Sequence, residues 1–203
     1  HLAQWSHSKH FLAQSSILGN DIVDNCSVGI DLVGFDDTEP QVNPSDPLDA
    51  DLGGNNLQNH PNLDSALVTA DGLILSGSLP SEPNREYRLE FFSRTECTDG
   101  TQGRFGGAYL GAPRVASGEF GGAYFDAVLP AQLPPGAGVT STATLLGSAE
   151  GAPEGLETLE TSEFSWCVAV ECGTTCDDVE CGTNICGVQC GECPATMMCK
   201  DGS

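Results

Sequence analysis

The sequence predicts a mainly β protein that ends in a disulfide-rich tail, and two observations carry this prediction. Runs of alternating apolar and polar residues recur between residues 64 and 170, separated by turns that contain Gly and Pro. Seven of the 10 cysteines lie between Cys172 and Cys199. Alternation with a period of two is typical of half-buried strands, and dense cysteines are typical of small disulfide-linked units. We divide the chain into residues 1–33, 34–63, 64–170 and 171–203.

Residues 1–33 contain short β-branched bursts instead of long strands. These bursts, at residues 16–18, 22–23 and 28–32, are separated by Asn, Asp and Gly. Such short strands suit the rungs of a parallel β-helix, in which each strand stacks on the rung below it. A segment of this length cannot bury its own apolar face. We therefore expect the end of a parallel β-helix whose earlier rungs precede this sequence in a longer polypeptide.

Residues 34–63 form an acidic connector that is rich in Pro and Asn. Prolines and adjacent Asx residues interrupt strand pairing, so we expect an ordered loop. Oxygen-bearing side chains around Gly53 and Gly54 suit Ca²⁺, a hard cation that prefers oxygen ligands. The residues that this interpretation proposes as ligands are Asp46, Asp49, Asp51 and Asn55. The interpretation that we favour over a calcium site is a set of Asx turns that hydrogen-bond the backbone and cap the preceding segment.

Residues 64–170 show one strand pattern after another. In residues 85–92, Tyr87, Leu89 and Phe91 share one face, and the charged residues between them share the other, which we expect to face solvent. Similar runs cover 123–129 and 139–145, and a last strand is predicted over 161–170 with Trp166 on its apolar face. This spacing predicts a two-sheet, immunoglobulin-like antiparallel β-sandwich.

The cysteines predict two kinds of cross-link. Cys97 follows the strand that contains Tyr87, and Cys167 lies in the last predicted strand. A bridge between them closes a loop of about 70 residues and stabilises the fold by roughly 4 kcal/mol; two free thiols are the alternative. The tail has too few apolar residues to fold by burial alone. We expect a disulfide knot there instead of a zinc site, formed by Cys172, Cys176, Cys181, Cys186, Cys190, Cys193 and Cys199.

Several motifs resemble a junction found in CSLREA-type bacterial surface proteins. The sequence GIDL at 29–32 is followed by DADLGGNNLQNHP at 49–61, and then by SGSL at 76–79, PNREYRLEFF at 83–92 and TSEFSWCVAV at 161–170. In that family, a GIDL rung ends a right-handed β-helix, and a similar connector leads to the next module. The resemblance covers roughly residues 15–170. It implies an exported surface protein and implies no reaction.

The charge of the chain excludes some partners. There are 29 acidic and 7 basic residues, which give a formal net charge of −22. Such a surface repels phosphate backbones, so we expect no nucleic-acid partner. We also expect no transmembrane segment, because no apolar run approaches the roughly 20 residues that span a bilayer. With the cysteines, this indicates an extracellular or cell-surface location.

The function expected from the sequence is non-catalytic. Glu86 and Glu90 share one strand face with Arg88 between them, which favours an ordinary solvated face over an acid/base pair. Tyr124 lies opposite Phe125 on its strand and is a candidate for stacking on a ligand. We expect a structural or adhesive module of an exported bacterial surface protein. Its partner would be an extracellular glycan or a cell-surface protein, and apart from Ca²⁺ no cofactor is expected.

Two other functions stay open at this point. One is an accessory carbohydrate-binding module of a polysaccharide-degrading β-helix enzyme. The other is protease inhibition by the Cys-rich tail, residues 171–203.

Overall fold

The computed structural model describes residues 15–25, 27–34, 38–39, 41–97, 105–147, 158–173, 176 and 181–192. A short 3₁₀ turn, Gly54–Leu57, precedes nine strands. The strands are β1 Asn62–Thr69, β2 Gly72–Leu79, β3 Glu86–Arg94, β4 Ala108–Gly111, β5 Arg114–Ala116, β6 Ala123–Leu129, β7 Gly138–Leu146, β8 Thr158–Thr161 and β9 Val168–Cys172. The prediction of a mainly β protein is confirmed. In the part of the chain described here, no helix has the length and apolar character needed to cross a membrane.

The strands form one mixed sheet that curls on itself. Its order is β4-β3-β7-β9-β1-β2-β6, with β5 paired to β3 and β8 paired to β7. Strand β9 joins the two halves of the sheet: it pairs antiparallel with β7 through Val168 and Ala169, and parallel with β1 through Val170, Glu171 and Cys172. The described strand pairs are otherwise antiparallel.

The main core lies between the two halves of the curled sheet. Tyr87, Leu89 and Phe91 are fully buried on the inner face of β3, as their alternation predicts. The Phe91 ring contacts that of Phe125 on β6, at 5.9 Å between centroids. Inward residues of β1, β2, β7 and β9 complete this core. The period-two pattern therefore identifies the buried face of the long strands correctly.

A second apolar cluster lies on the outer side of β3 and contradicts one expectation. It contains Ile30, Leu32, Leu57, Phe92 and Phe164. The charged face of β3 was expected to face solvent, but the Glu90 side chain is fully buried there. The physical reason is that Ile30, Leu32 and Leu57, which precede the sheet in the chain, pack across this face. An alternation pattern reports which residues share a face, and here both faces are covered.

The predicted last strand is also wrong in its bounds. Residues 162–167 lie between β8 and β9 and are not part of a strand. The Ser162 and Ser165 hydroxyls accept hydrogen bonds from the β7 N–H groups of Ala143 and Ser141, each at 2.9 Å. Side-chain oxygens thus replace backbone carbonyls as acceptors along β7. The same irregular path leaves Trp166 exposed, although its position in the pattern indicated an apolar face.

The described part of the connector contacts the sheet, because Leu57 packs in the cluster that contains Phe92 of β3 and Asn56 donates a hydrogen bond to Glu160 of β8. Residue Gly34 forms an isolated antiparallel bridge with Gly53, and Ile22 forms another with Gly106. Residues 1–14 lie outside the described residues. The described part of the upstream segment, residues 15–25 and 27–34, contributes these bridges and apolar side chains. Its origin as a β-helix end stays a prediction.

Candidate functional site

Three acidic side chains of the connector converge. Carboxylate oxygens of Asp46, Asp49 and Asp51 lie within 4.8 Å of one another, and all three residues are partly buried. We call these residues the acidic cluster. Ligand oxygens around one Ca²⁺ lie 2.3–2.6 Å from the ion, so oxygens this close together could share a cation. The structure therefore brings together three of the four residues that the sequence proposed as ligands.

A tight turn sets the position of the acidic cluster. The Asp46 carboxylate accepts hydrogen bonds from the Ala50 N–H at 3.1 and 3.2 Å. Within this turn, Leu48 and Asp49 have φ values of 66° and 55°. Left-handed backbone is uncommon for a residue such as leucine, and the Asp46 cap helps to hold it. The Asx-turn interpretation of Asp46 thus describes one part of the geometry.

Asn59, which the sequence reasoning did not single out, ties the cluster together. Its Oδ1 accepts the Asp46 N–H at 3.0 Å, and its Nδ2 donates to the Asp46 carbonyl at 2.8 Å. Its own N–H donates to Asp49 Oδ1 at 2.7 Å. The Asn59 side chain is buried. No spacing rule relates residue 59 to residue 46, so the sequence carried no signal for this contact.

The electrostatics of the cluster disfavour the state in which all three carboxylates are ionised without a counter-ion. Burial raises the pKa of Asp49 to about 7; the Asn59 N–H opposes this, while the charges of Asp51, Asp46 and Glu82 add to it. Burial also raises the pKa of Asp51, with a further contribution from the charge of Asp46. Like charges in a poorly solvated site repel one another. A cation or a proton would relieve this repulsion.

Two buried hydroxyl groups belong to Ser81 and Tyr87. Both residues are almost completely buried, and the Ser81 side chain and the Glu82 backbone lie within hydrogen-bonding reach of the Tyr87 hydroxyl. Burial raises the pKa of Tyr87, and the charge of Asp49 raises it further. In the cluster itself, Asp51 Oδ1 is a buried polar atom with no partner among the described residues.

The connector turn packs directly on the segment that contains Ser81. A Cβ atom added at Gly121 would lie 2.6 Å from the Ser81 carbonyl oxygen and 2.8 Å from Leu48 Cδ2. Leu48 and Ser81 therefore meet at this glycine, where a larger residue would not fit. This contact brings Leu48, the residue next to Asp49, onto the nine-stranded sheet. We call this sheet, with the loops that connect its strands, the sheet domain.

Asn55 does not join the acidic cluster. Its Nδ2 donates to the carbonyl oxygens of Ser15 and Thr161 at 2.8 and 2.9 Å, and its Oδ1 accepts the Ser15 N–H at 2.9 Å. These contacts use both ends of the amide. The structure therefore gives Asn55 a different position from the one that its spacing suggested.

Two buried carboxylates of the sheet domain hold the upstream segment. Glu163 accepts the Leu32 N–H through Oε1 and the Asn43 N–H through Oε2, both at 2.9 Å. Glu90 Oε2 accepts the Gly19 N–H at 2.8 Å, while its Oε1 pairs with Arg88 at 2.8 Å. We call this set of contacts, together with those of Asn55, the docking interface. It explains why Glu90 is buried, and it occupies both oxygens of each carboxylate.

Disulfides join the cysteines in the following way. Cys97 and Cys167, the pair that the sequence suggested, are bonded with their Cα atoms 5.5 Å apart. In the tail, Cys172 is bonded to Cys186 and Cys176 to Cys190. Cys181 is also disulfide-bonded. Cys193 and Cys199 lie outside the described residues. The described cysteines of the tail are thus bonded to sulfur, as a knot requires.

Tyr124 lies on the outer face of β6, which ends the sheet. It is 92% exposed, and Phe120, just before this strand, is 83% exposed. Val128 is exposed on the same face of β6. The structure thus leaves Tyr124 accessible to a partner.

Comparison with protein-family models and with curated proteins found no match to this chain.

Proposed function

We propose that this chain is a non-catalytic structural module of an exported surface protein, which fixes an upstream segment rigidly to a sheet domain. The observation that carries the proposal is the docking interface. Buried Glu163 bonds two backbone N–H groups that lie 131 and 120 residues earlier in the chain. In a flexible linker, such N–H groups would form hydrogen bonds to water instead.

Apolar burial supports the same interpretation. Phe92 of β3 and Phe164 pack edge to face at 5.4 Å between centroids. Ile30, Leu32 and Leu57 of the upstream segment and connector cover them. Burial of large side chains stabilises by roughly 1.5–3 kcal/mol each. Rigid docking of this kind suits a module that holds the preceding part of the protein in a fixed position.

The carboxylates considered for acid/base chemistry have structural roles in this proposal. A general acid must reach a substrate atom. Glu90 is fully buried and bonded to Arg88 and to the backbone of Gly19. Turnover of any polysaccharide by the full chain would contradict a non-catalytic function.

The finer identity of each part belongs to this proposal as well. We propose that the curled sheet is an immunoglobulin-like sandwich, and that residues 1–33 end a parallel β-helix in a CSLREA-type bacterial surface protein. Facing sheet halves with a shared core and the Cys97–Cys167 disulfide support the first part. The disulfides also support an extracellular or cell-surface location, since such bonds persist in oxidising compartments.

Limited proteolysis of the full chain tests the docking function. In Glu163→Ala, the Leu32 and Asn43 N–H groups lose their acceptor, so we expect the connector to be cleaved at least several-fold faster while the sheet domain stays resistant. Glu171→Ala is the matched control, because Glu171 is exposed on β9. Equal cleavage of the connector in all three proteins would contradict a docked connector.

A carbohydrate-binding function is the second candidate, because Tyr124 and Phe120 expose two aromatic rings near the end of the sheet. Exposed aromatic rings can stack on sugar faces. Glycan-array binding by the full chain that is lost in Tyr124→Ala and kept in Val128→Ala would favour it. Binding that is equal in the two variants would exclude Tyr124 as the ligand-binding residue.

A further inference from the structure

We propose that a pocket beside Trp166 binds a sugar ring of an uncharged glycan. The pocket has a volume of about 330 Å³, within the range of roughly 300–1,000 Å³ that is typical of small-molecule sites. Its walls include Asn43 and Ser45 of the connector, His60 and Asn62 around the start of β1, and Trp166 in the loop between β8 and β9. We call it the Trp166 pocket. The proposed site rests on the carbohydrate-binding candidate function and supplies that function with a pocket.

The backbone of Trp166 is fixed while its side chain stays exposed. Trp166 is 53% exposed. The next residue, Cys167, is disulfide-bonded to Cys97, and the Ser165 hydroxyl donates to the Trp166 carbonyl at 2.9 Å. An indole ring has a large apolar face, which can stack on the C–H groups of a pyranose ring. An exposed tryptophan on a fixed backbone beside a concave surface therefore suits a sugar.

Polar groups line the same pocket. Asn43 Nδ2 donates to Glu163 Oε1 at 3.3 Å and to the Leu32 carbonyl, so the docked connector holds this amide in position. Asn62 is exposed at the first position of β1. The Ser45 hydroxyl is buried and has no hydrogen-bond partner among the described residues. Amides and hydroxyls both donate and accept hydrogen bonds, which is what the hydroxyls of a sugar require.

The charge around the pocket favours a neutral glycan. None of the described residues that line it is Asp, Glu, Lys or Arg. No arginine or lysine is therefore present there to pair with the carboxylate of an acidic sugar. The whole chain carries a formal net charge of −22, which repels an anionic ligand. We therefore expect neutral sugars to bind better than uronic acids.

A row of outward side chains leads from the pocket to Tyr124. Asn62 of β1 lies opposite Ser78 of β2, and Ser78 lies opposite Tyr124 of β6. Residues directly opposite each other share a face of the sheet, and neighbouring strands lie about 4.8 Å apart. The backbones of Asn62 and Tyr124 are therefore roughly 10 Å apart. A glycan of several sugar units bound at Trp166 would reach the exposed ring of Tyr124.

Calorimetric titration of the full chain with oligosaccharides is the direct test. The probes are the neutral cellotetraose, mannotetraose and galactotetraose, with tetragalacturonate as the charged counterpart of equal length. We expect at least one neutral probe to bind with a dissociation constant on the order of 0.1–1 mM, and tetragalacturonate to bind at least 10-fold more weakly. Absence of binding by all three neutral probes, or equal binding by tetragalacturonate, would overturn the proposal.

Variants locate the binding site. Trp166→Ala should reduce the affinity for the bound tetrasaccharide at least 10-fold, whereas Trp166→Phe, which retains an aromatic ring, should lose less. Asn62→Ala should lose affinity several-fold, because one hydrogen-bonding partner is removed. Val128→Ala changes an exposed residue on the outer face of β6 and is the matched control, which should keep full affinity. Unchanged affinity in Trp166→Ala, with an unchanged Tm, would overturn the pocket.

Tyr124→Ala separates the Trp166 pocket from glycan binding at Tyr124 alone. It should weaken the tetrasaccharide roughly 3–10-fold and leave binding of the corresponding methyl monosaccharide unchanged. In a Trp5→Phe background, Trp166 is the one remaining tryptophan, and its fluorescence should change when the sugar binds. Binding that is lost in Tyr124→Ala and fully kept in Trp166→Ala would leave the carbohydrate-binding function standing and overturn the Trp166 pocket.

Discussion

The carboxylate of Glu163 accepts a hydrogen bond from the Leu32 backbone N–H at 2.9 Å, across 131 residues of sequence. This contact joins the segment before the connector to the segment that follows β8. Its second oxygen accepts from Asn43 in the connector. One buried side chain therefore holds two parts of the chain that have no strand pairing with it.

Replacement of Glu163 by Ala should destabilise the protein by roughly 2–4 kcal/mol. The change leaves the buried Leu32 N–H and the partly buried Asn43 N–H without an acceptor, and an unpaired buried polar group costs about 1–3 kcal/mol. Urea denaturation measures the loss. Glu171→Ala should stay within about 0.5 kcal/mol of the unmodified protein, because Glu171 is exposed. Equal midpoints for the two variants would contradict a stabilising role for Glu163.

Removal of the Cys97–Cys167 disulfide, in the double variant Cys97→Ala and Cys167→Ala, should lower the free energy of unfolding by about 4 kcal/mol. The bridge spans 70 residues and restricts the unfolded chain over that length. Chemical denaturation under oxidising conditions is the measurement. Removing Cys176–Cys190, which spans 14 residues in the tail, should leave the main transition of the sheet unchanged. The same midpoint in the first variant and the unmodified protein would refute this prediction.

Gly138→Ala should destabilise the sheet domain by roughly 1–3 kcal/mol through overpacking. A Cβ atom at position 138 would lie 2.5 Å from Cys167 Sγ and 3.1 Å from Cys97 Sγ. The cost should fall when the two cysteines are alanines, because the crowding sulfurs are then absent. Gly118→Ala is the control, since nothing lies within 4 Å of its added Cβ. A full cost in both backgrounds would show that the disulfide is not the source of the strain.

Truncation of two aromatic residues should have opposite consequences. Phe92→Ala should cost about 3–5 kcal/mol, because Phe92 is buried against Phe164 and also contacts Tyr109. Tyr124→Ala should change stability by less than about 0.5 kcal/mol, because the ring is 92% exposed. Thermal unfolding of the two variants checks this. A small effect of Phe92→Ala would mean that the second apolar cluster does not stabilise the fold.

Part of the fold follows from local patterns in the sequence. Alternation places Tyr87, Leu89 and Phe91 in the core because a strand has a period of two. The same rule places Phe92 on the opposite face with Glu90 and cannot tell whether another segment covers that face. The covering segment is distant in sequence, and it is held by apolar contacts, by an isolated backbone bridge and by hydrogen bonds to single side chains. Alternation along one strand carries no information about such long-range contacts.

The acidic cluster, likewise, could be predicted from the sequence only in part. Its carboxylates could be predicted because Asp46, Asp49 and Asp51 are close in sequence and share one turn. Asn59 could not be predicted, because only the folded path of the connector brings it beside Asp46 and Asp49. Asn55 has suitable chemistry and spacing, but its amide bonds the backbone of Ser15 and Thr161 instead. Spacing along the sequence therefore identifies candidate ligand residues, and tertiary packing decides which of them lie close together.

Native-state hydrogen exchange at the Leu32 and Asn43 amides tests the central claim of a docked upstream segment most directly. If Glu163 holds both groups, their protection should approach that of β7 amides such as Ala143, and both should lose it in Glu163→Ala. Exchange of Leu32 and Asn43 at the rates of an open loop in the unmodified protein would contradict the docked arrangement.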